Sequence, residues 1–350
     1  MTQETKRAAE EKPPVALQPP EDRPALKSSE WIERPLPDPV VDLIVQHLWP
    51  RPQKPQAWQV ARFSTAVYAY REVNTTWTII AKFYSVKTGS DAQKYALREQ
   101  AAIEKARTLG LSGGPLRALD ALGVWRGVLF LEYVPALHLL DAIAVRRSRP
   151  GKLLSSLQGV VQLLATLHSA GTQVEVPSAF EPAANALKYA DQLARYGVLA
   201  DKPDLHASLR RLIHRWQSHI PMEGYQPALI HGDATTTNFL LPDDGTVVAI
   251  DWERAAVHDP AFDLGRLVAE IAHGVRQHGG QGEEAARLAR RTYDLYLRYS
   301  CAGPNAEELV ERARFYQAAS TLRIARNGWI SRKERLALVA QAMALLSESE

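Results

Sequence analysis

Apolar positions change their period along this chain, and each change marks an element. Asp38-Pro39 opens a helix, as an N-cap followed by proline in the first turn, that runs from Val40 to Leu48 and stops before Pro50. Two runs rich in β-branched and aromatic residues follow, STAVYAYREV (64–73) and TTWTIIAKFYSV (75–86), joined by a turn at Asn74. Strand side chains alternate, so Ile80, Lys82 and Tyr84 share one face of the second run. A lysine on an apolar strand face needs a partner, because lysine is seldom buried alone. Helix formers then extend from Asp91 to Leu109, with Gly110 as the stop. WRGVLFLEYV (125–134) predicts another strand, ended by Pro135.

Beyond Pro135 the period becomes helical: Leu153, Leu157, Val160, Leu164 and Leu167 keep it, as do Leu205, Leu209, Leu212 and Trp216. The pattern therefore predicts an α+β protein, strand-rich over 39–134 and mainly helical over 135–350, without internal repeats. Residues 1–38 differ from both parts. They hold Pro13, Pro14, Pro19, Pro20, Pro24, Pro35 and Pro37 among mixed charges, and bury too little to offset their ordering entropy, which predicts a disordered tail.

LIHGDATTTNFL (229–240) places His231, Gly232, Asp233 and Asn238 between apolar segments. FLL, PDDG and TVVAIDWE then follow as strand, turn and strand, a β-hairpin. With 242–245 as the loop, Leu241 pairs with Thr246, Phe239 with Val248 and Asn238 with Ala249; a slip of one residue is the competing register. Asp251 would then share the face of Asn238 as a diagonal neighbour, ~7–8 Å away. An amide oxygen and a carboxylate suit Mg²⁺, which takes oxygen ligands and completes its shell with water and phosphate. Asp233, on the preceding loop, is placed to orient a substrate hydroxyl and accept its proton.

Composition narrows the classes. At 350 residues the chain exceeds one comfortable hydrophobic core. Its 46% hydrophobic and 23% charged residues are those of an ordinary globular protein, and a net charge of +3 argues for neither nucleic acid nor membrane as partner. The single cysteine, Cys301, excludes an intramolecular disulfide and a cysteine zinc site. No apolar run approaches the ~20 residues of a membrane span, and the charged N-terminus is no secretory signal, so a cytoplasmic protein is expected. The chain has no Gly-x4-Gly-Lys-Ser/Thr, which excludes a P-loop enzyme.

HGDATTTN followed by AIDWERAAVHDPAFDLG closely resembles the aminoglycoside phosphotransferase and choline kinase family, with weaker matches from about residue 60 to 270. The resemblance implies a protein-kinase-like bilobal fold, ATP and magnesium as cofactors, and a small-molecule hydroxyl as acceptor. By the same resemblance Asp233 looks like the catalytic aspartate, and Asn238 and Asp251 like the magnesium ligands. Lys82 resembles the lysine that holds the ATP α- and β-phosphates, and Glu99 its helix partner, with Glu104 one turn on as a rival. Glu132-Tyr133-Val134 resembles the hinge whose backbone binds adenine, beside Ile80 on the nucleotide strand. Asp263 resembles the aspartate that braces the catalytic loop, and His231 a structural residue of it. Family members usually carry a glycine-containing turn over the phosphates. Here RFSTAVY has none, leaving Ser64 and Thr65 to offer N–H groups and hydroxyls.

Three functions follow for testing. The first is transfer of the ATP γ-phosphoryl group to a small-molecule hydroxyl. Arg312, Arg314, Arg323, Arg326, Arg332, Lys333 and Arg335, against the lone acid Glu334, favour a sugar-like or anionic acceptor over an aminoglycoside. The second is a catalytically impaired, kinase-like nucleotide-binding module. The third is a metal-dependent hydrolase using His231, Asp233, Asp251 and Asp259, which lacks the clustered histidines of such sites. Asp259 reads more simply as the N-cap of PAFDLGRLVAEI, and His168 as a core or helix-end histidine.

Overall fold

The computed structural model describes residues 16–18, 30–53, 55, 57–169, 182–217, 225–300 and 306–347. The chain forms two compact units, one of residues 1–101 with 120–133 and one of 102–119 with 134–350.

The first unit is built on a six-stranded antiparallel sheet. Its order is Ile32–Arg34, Trp58–Arg62, Val67–Glu72, Thr78–Phe83, Val128–Glu132 and Ala121–Trp125. Alternation divides the Thr78–Phe83 strand as the sequence requires. Ile79, Ala81 and Phe83 enter a core with Val60, Tyr68, Tyr70, Val128 and Phe130, while Ile80 and Lys82 take the other face. The helix Pro39–His47 covers the core with Val40, Val41 and Ile44. Asp38 caps it, its Oδ1 accepting the N–H groups of Val40 at 2.7 Å and Val41 at 3.1 Å.

The expected tail extends too far. Ile32–Arg34 adds an edge strand, with Ile32 opposite Val60. Leu17 is buried; its N–H donates to Arg126 O at 2.8 Å and its carbonyl accepts the Ser85 hydroxyl at 2.6 Å. A three-residue strand between prolines is too short to show a period, yet it needs only the free backbone edge of Trp58–Arg62 to form. The rest of the expected tail, 1–15 and 19–29, lies outside the described residues.

The second unit is mainly helical. Pro150–Ser169 buries Leu153, Leu157, Val160, Leu164 and Leu167, the positions its period predicted. Ala261–Gln277 and Ala306–Ala325 pack with their backbones close, because a Cβ on Gly265 would lie 2.3 Å from Ala313 O. No helix among the described residues is long and apolar enough to cross a membrane.

Two small sheets carry the loop of interest. Ala228–Ile230 pairs with Ala256–His258, so the chain between them leaves and returns at one place. Within that excursion Phe239–Leu241 and Val247–Ala249 form the hairpin in the competing register: Phe239 faces Ala249 and Leu240 faces Val248. The loop takes one more residue than expected, because Asp244 Oδ1 holds the Thr246 N–H at 2.9 Å and Gly245 turns at φ +84°. Ile250 therefore stands beside Asn238, its N–H donating to Asn238 O at 3.0 Å, and Asp251 is the next residue along.

Candidate active site

In the first unit Lys82 finds the partner its position demands. Its Nζ lies 2.7 Å from Glu99 Oε2, with Lys82 6% and Glu99 1% exposed. Glu99 belongs to the helix Ala92–Ala106 and also accepts the Tyr84 hydroxyl, whose ring lies 5.4 Å from Nζ. Glu104 is exposed on the same helix, so the rivalry resolves to Glu99. Ion pairs this buried cost about 3–5 kcal/mol when one partner is removed, since the other charge is stranded.

The remaining residues expected at a nucleotide meet mixed outcomes. Ile80 is half-buried on the lysine face. Ser64 and Thr65 are exposed at the turn between Trp58–Arg62 and Val67–Glu72, but the Ser64 N–H donates to Val67 O at 3.1 Å and its hydroxyl accepts the Ala66 N–H. Ser64 therefore cannot offer its amide to a phosphate without opening the turn. Glu132 is likewise committed: its N–H donates to Asp120 O at 3.1 Å and its Oε1 accepts the Asp120 N–H at 2.7 Å. The chain leaves the sheet after Glu132 and passes to the second unit between Tyr133 and Val134.

In the second unit the loop 231–233 is held by one carboxylate. Asp263, fully buried in the first turn of Ala261–Gln277, accepts the His231 N–H at 2.6 Å on Oδ2 and the Gly232 N–H at 2.9 Å on Oδ1. His168 Nε2 also meets Oδ2 at 3.2 Å, and His168 Nδ1 meets the Tyr296 hydroxyl at 2.7 Å. Burial alone would raise the Asp263 pKa, but the His168 hydrogen bond, the two histidines and the His231 N–H outweigh it and hold the carboxyl below its ordinary range. His231 is buried against Trp252 and Phe239. Its Nδ1 accepts the Asp233 N–H at 3.3 Å, so its Nε2 carries the proton that donates to Ile250 O at 2.9 Å. Gly232 is required here: φ is +77° and a Cβ would lie 2.0 Å from Arg254 O.

Asp233 is thereby fixed at the mouth of the loop. Arg266, one helical turn beyond Asp263, binds Asp233 Oδ1 and Gly232 O through the same Nη1. Burial disfavours the Arg266 charge, so the Asp233 carboxylate is the counter-ion it needs. Among the described residues, Arg254 Nε is the cation paired with Asp233 Oδ2, at 3.8 Å. Asn238 donates its side-chain N–H to Asp233 O at 2.9 Å, which leaves Oδ1 as the acceptor end of the amide. Asp251 sits at φ +63°, a left-handed conformation that aspartate tolerates better than most residues. A carboxylate oxygen of Asp251 lies within 4.8 Å of one from Glu253. Asp251 and Glu253 thus bring two carboxylates together, the oxygen chemistry that magnesium takes, while the Asn238 amide is held against the Asp233 carbonyl.

Sequence reasoning missed Glu253, Arg254 and Arg266. The i, i+3 spacing of Asp263 and Arg266 was the available signal, since such residues share a helix face. The hydrolase set loses Asp259, whose Oδ2 pairs with buried Arg312 at 2.8 Å while Oδ1 accepts the Ala261 N–H at 3.0 Å. Asp259 and His168 keep the structural roles read from the sequence. The arginine-rich stretch largely does other work: Arg323 pairs with Glu270, Arg332 with Asp201, and Arg335 donates to Ala325 O at 2.6 Å.

A family described as the phosphotransferase enzyme family matches residues 61–300. Among solved structures, a choline kinase from Streptococcus pneumoniae is similar with a TM-score of 0.54 at 16% identity, covering 88% of this chain and 98% of that one. An ethanolamine kinase from Plasmodium vivax is similar with a TM-score of 0.54 at 12% identity, covering 82% of each chain. An ADP-bound aminoglycoside phosphotransferase is similar with a TM-score of 0.52 at 13% identity, covering 89% and 98%. No curated protein matches the sequence itself. These structural likenesses carry the fold: a smaller antiparallel-sheet unit and a larger, mainly helical one, the kinase-like α+β architecture expected.

Proposed function

This chain belongs to the phosphotransferase enzyme family, and we propose that it moves the γ-phosphoryl group of ATP, in the presence of magnesium, to a hydroxyl of a small molecule. A sugar-like or anionic metabolite is favoured as acceptor over an aminoglycoside. The observation that carries this reading is the Asp233 loop: a carboxylate clamped by Arg266 on Oδ1 and met by Arg254 only at 3.8 Å on Oδ2, with the Asn238 amide on its backbone carbonyl; the paired Asp251 and Glu253 carboxylates suit a divalent cation. The buried Lys82–Glu99 pair and the ADP carried by a structural relative support the nucleotide.

In this mechanism the acceptor hydroxyl donates to Asp233 Oδ2, with Arg266 fixing the orientation through Oδ1. As the acceptor oxygen forms its bond to the γ-phosphorus, its proton passes to Asp233 and the bond to the β-bridging oxygen breaks, its electron pair leaving with ADP. Lys82, held by Glu99, orients the α- and β-phosphates. Magnesium on Asn238, Asp251 and Glu253 would neutralise phosphate charge. Positioning and charge stabilisation supply most of the acceleration in such transfers.

Lys82→Met should lower kcat/KM for ATP by about 10²-fold, the loss of roughly 3 kcal/mol expected for charged hydrogen bonds to two phosphates. Unchanged ATP kinetics in a folded variant would remove Lys82 from the site. The function itself is tested by following ADP release with magnesium and ATP across sugars, amino alcohols and aminoglycosides. Acceptor-dependent release is expected. The commitment of the Ser64 amide favours one rival, a nucleotide-binding module with impaired catalysis. Tight ATP binding without turnover of any acceptor would support that rival.

A further inference from the structure

We propose that the acceptor is anionic: the second unit holds a cavity built for a small hydroxylated molecule that also bears a carboxylate or phosphate. This inference rests on the phosphotransfer reading for its chemistry and on the cavity for its charge. The cavity, about 380 Å³, is lined by Gly232, Arg254 and Arg266, so it borders the Asp233 loop. That volume falls at the small end of the ~300–1,000 Å³ usual for ligand sites. Four cations line it, Lys188, Arg254, Arg266 and Arg326, and no carboxylate does among the described residues.

Two of the four are already engaged at the loop. Arg266 clamps Asp233, and Arg254 stands 3.8 Å from its second oxygen. The other two have no ion pair among the described residues. Among the described residues the Arg326 guanidinium donates to the neutral Gln192 Oε1, at 3.0 Å, and lies over the Tyr189 ring. Lys188 is exposed on the helix Pro182–Arg195, one turn from Asn185, which also lines the cavity. By contrast, Arg312 and Arg323 of the same unit are paired with carboxylates, Asp259 and Glu270. A concave site with two unneutralised cations beside a hydroxyl-orienting carboxylate selects a ligand with an anion at one end and an alcohol at the other. Ser320 and Asn185 are the neutral groups left for further hydroxyls. A polyamine would meet four like charges and, among the described lining residues, no carboxylate.

Calorimetric binding without nucleotide, together with turnover in magnesium and ATP, tests the proposal on probes of one skeleton: glucose, glucosamine, gluconate and glucose 6-phosphate, with glycerate, 3-phosphoglycerate and kanamycin added. At least one anion should bind tenfold or more tighter than its neutral parent. The carboxylates and phosphates in the panel decide between the two anion types. Lys188→Gln and Arg326→Gln should each weaken that anion about tenfold or more, as loss of a charged hydrogen bond does, with ATP affinity unchanged. Lys333→Gln removes an exposed charge from outside the cavity and should change nothing. Lys188 is exposed, so its variant reports even where Arg326→Gln disturbs folding. Anion binding that depends on Lys188 but leads to no phosphoryl transfer would keep the cavity assignment and sink the phosphotransfer reading. Preference for glucosamine or kanamycin, or binding of none of the anions by protein that still binds ATP, would overturn the cavity assignment.

Discussion

Asp233→Asn is expected to lower kcat by about 10²–10⁴, the range for loss of a positioned general base, with little change in KM for ATP. The substitution is nearly isosteric. Asn keeps an oxygen for Arg266 Nη1, and the backbone carbonyl of residue 233 still receives the Asn238 side chain. What disappears is the basicity of Oδ2. Arg266 is 4% exposed and loses its counter-ion, so the melting temperature should also fall. Activity must therefore be compared well below that temperature. Steady-state kinetics beside a melting curve separates the effects: a fall in kcat in protein that remains folded and binds ATP supports the role, and full turnover refutes it.

Asp263→Ala should be the most damaging single change to stability. It strips the acceptor from the His231 N–H, the Gly232 N–H and His168 Nε2, all buried. Each stranded donor costs about 1–3 kcal/mol, so the total of roughly 3–9 kcal/mol rivals the ~5–15 kcal/mol stability of an ordinary domain. Insoluble protein or a melting temperature lower by 10 °C or more is expected, on the basis of ~2–4 °C per kcal/mol for units of this size. Because the folded Asp263 pKa is depressed, its contribution is fully present above the unfolded carboxyl pKa of ~3.9 and is lost as pH falls through the lower folded value. Melting followed from pH 7 to pH 2 should show wild-type protein losing stability in that acid window, and an Asp263→Asn variant losing less there. A parallel decline in both would deny Asp263 this part.

Much of this was legible because the relevant residues break a local rule. Lys82 on an apolar strand face demanded a buried anion, and Glu99 provides it. Asp38-Pro39 announced a helix whose cap geometry agrees. Where no local rule was broken, the reading drifted. Turn chemistry at 242–246 signalled a hairpin without counting its loop, and the Asp244–Thr246 bond added one residue and shifted the register. Arginines close in sequence also looked like one surface. Arg312 lies inside the helix Ala306–Ala325 and Arg326 just past its end, so a separation of about 20 Å along the axis, at ~1.5 Å per residue, gives them different neighbours, an aspartate in the core and the cavity rim. Lys188 and Arg254 reach that cavity from distant sequence, which only tertiary structure reveals. Ile32–Arg34 and Leu17 escaped notice for a similar reason: their order comes from the sheet they join.

The most direct test of the central claim is transfer of phosphate from γ-radiolabelled ATP to an acceptor, measured against magnesium concentration in wild-type protein and in Asp251→Ala. The account predicts label in the acceptor that rises with magnesium to saturation and falls at least 10²-fold in the variant, as charge stabilisation at the transferring phosphate is lost. Equal labelling without a divalent cation, or wild-type labelling by Asp251→Ala, would contradict it.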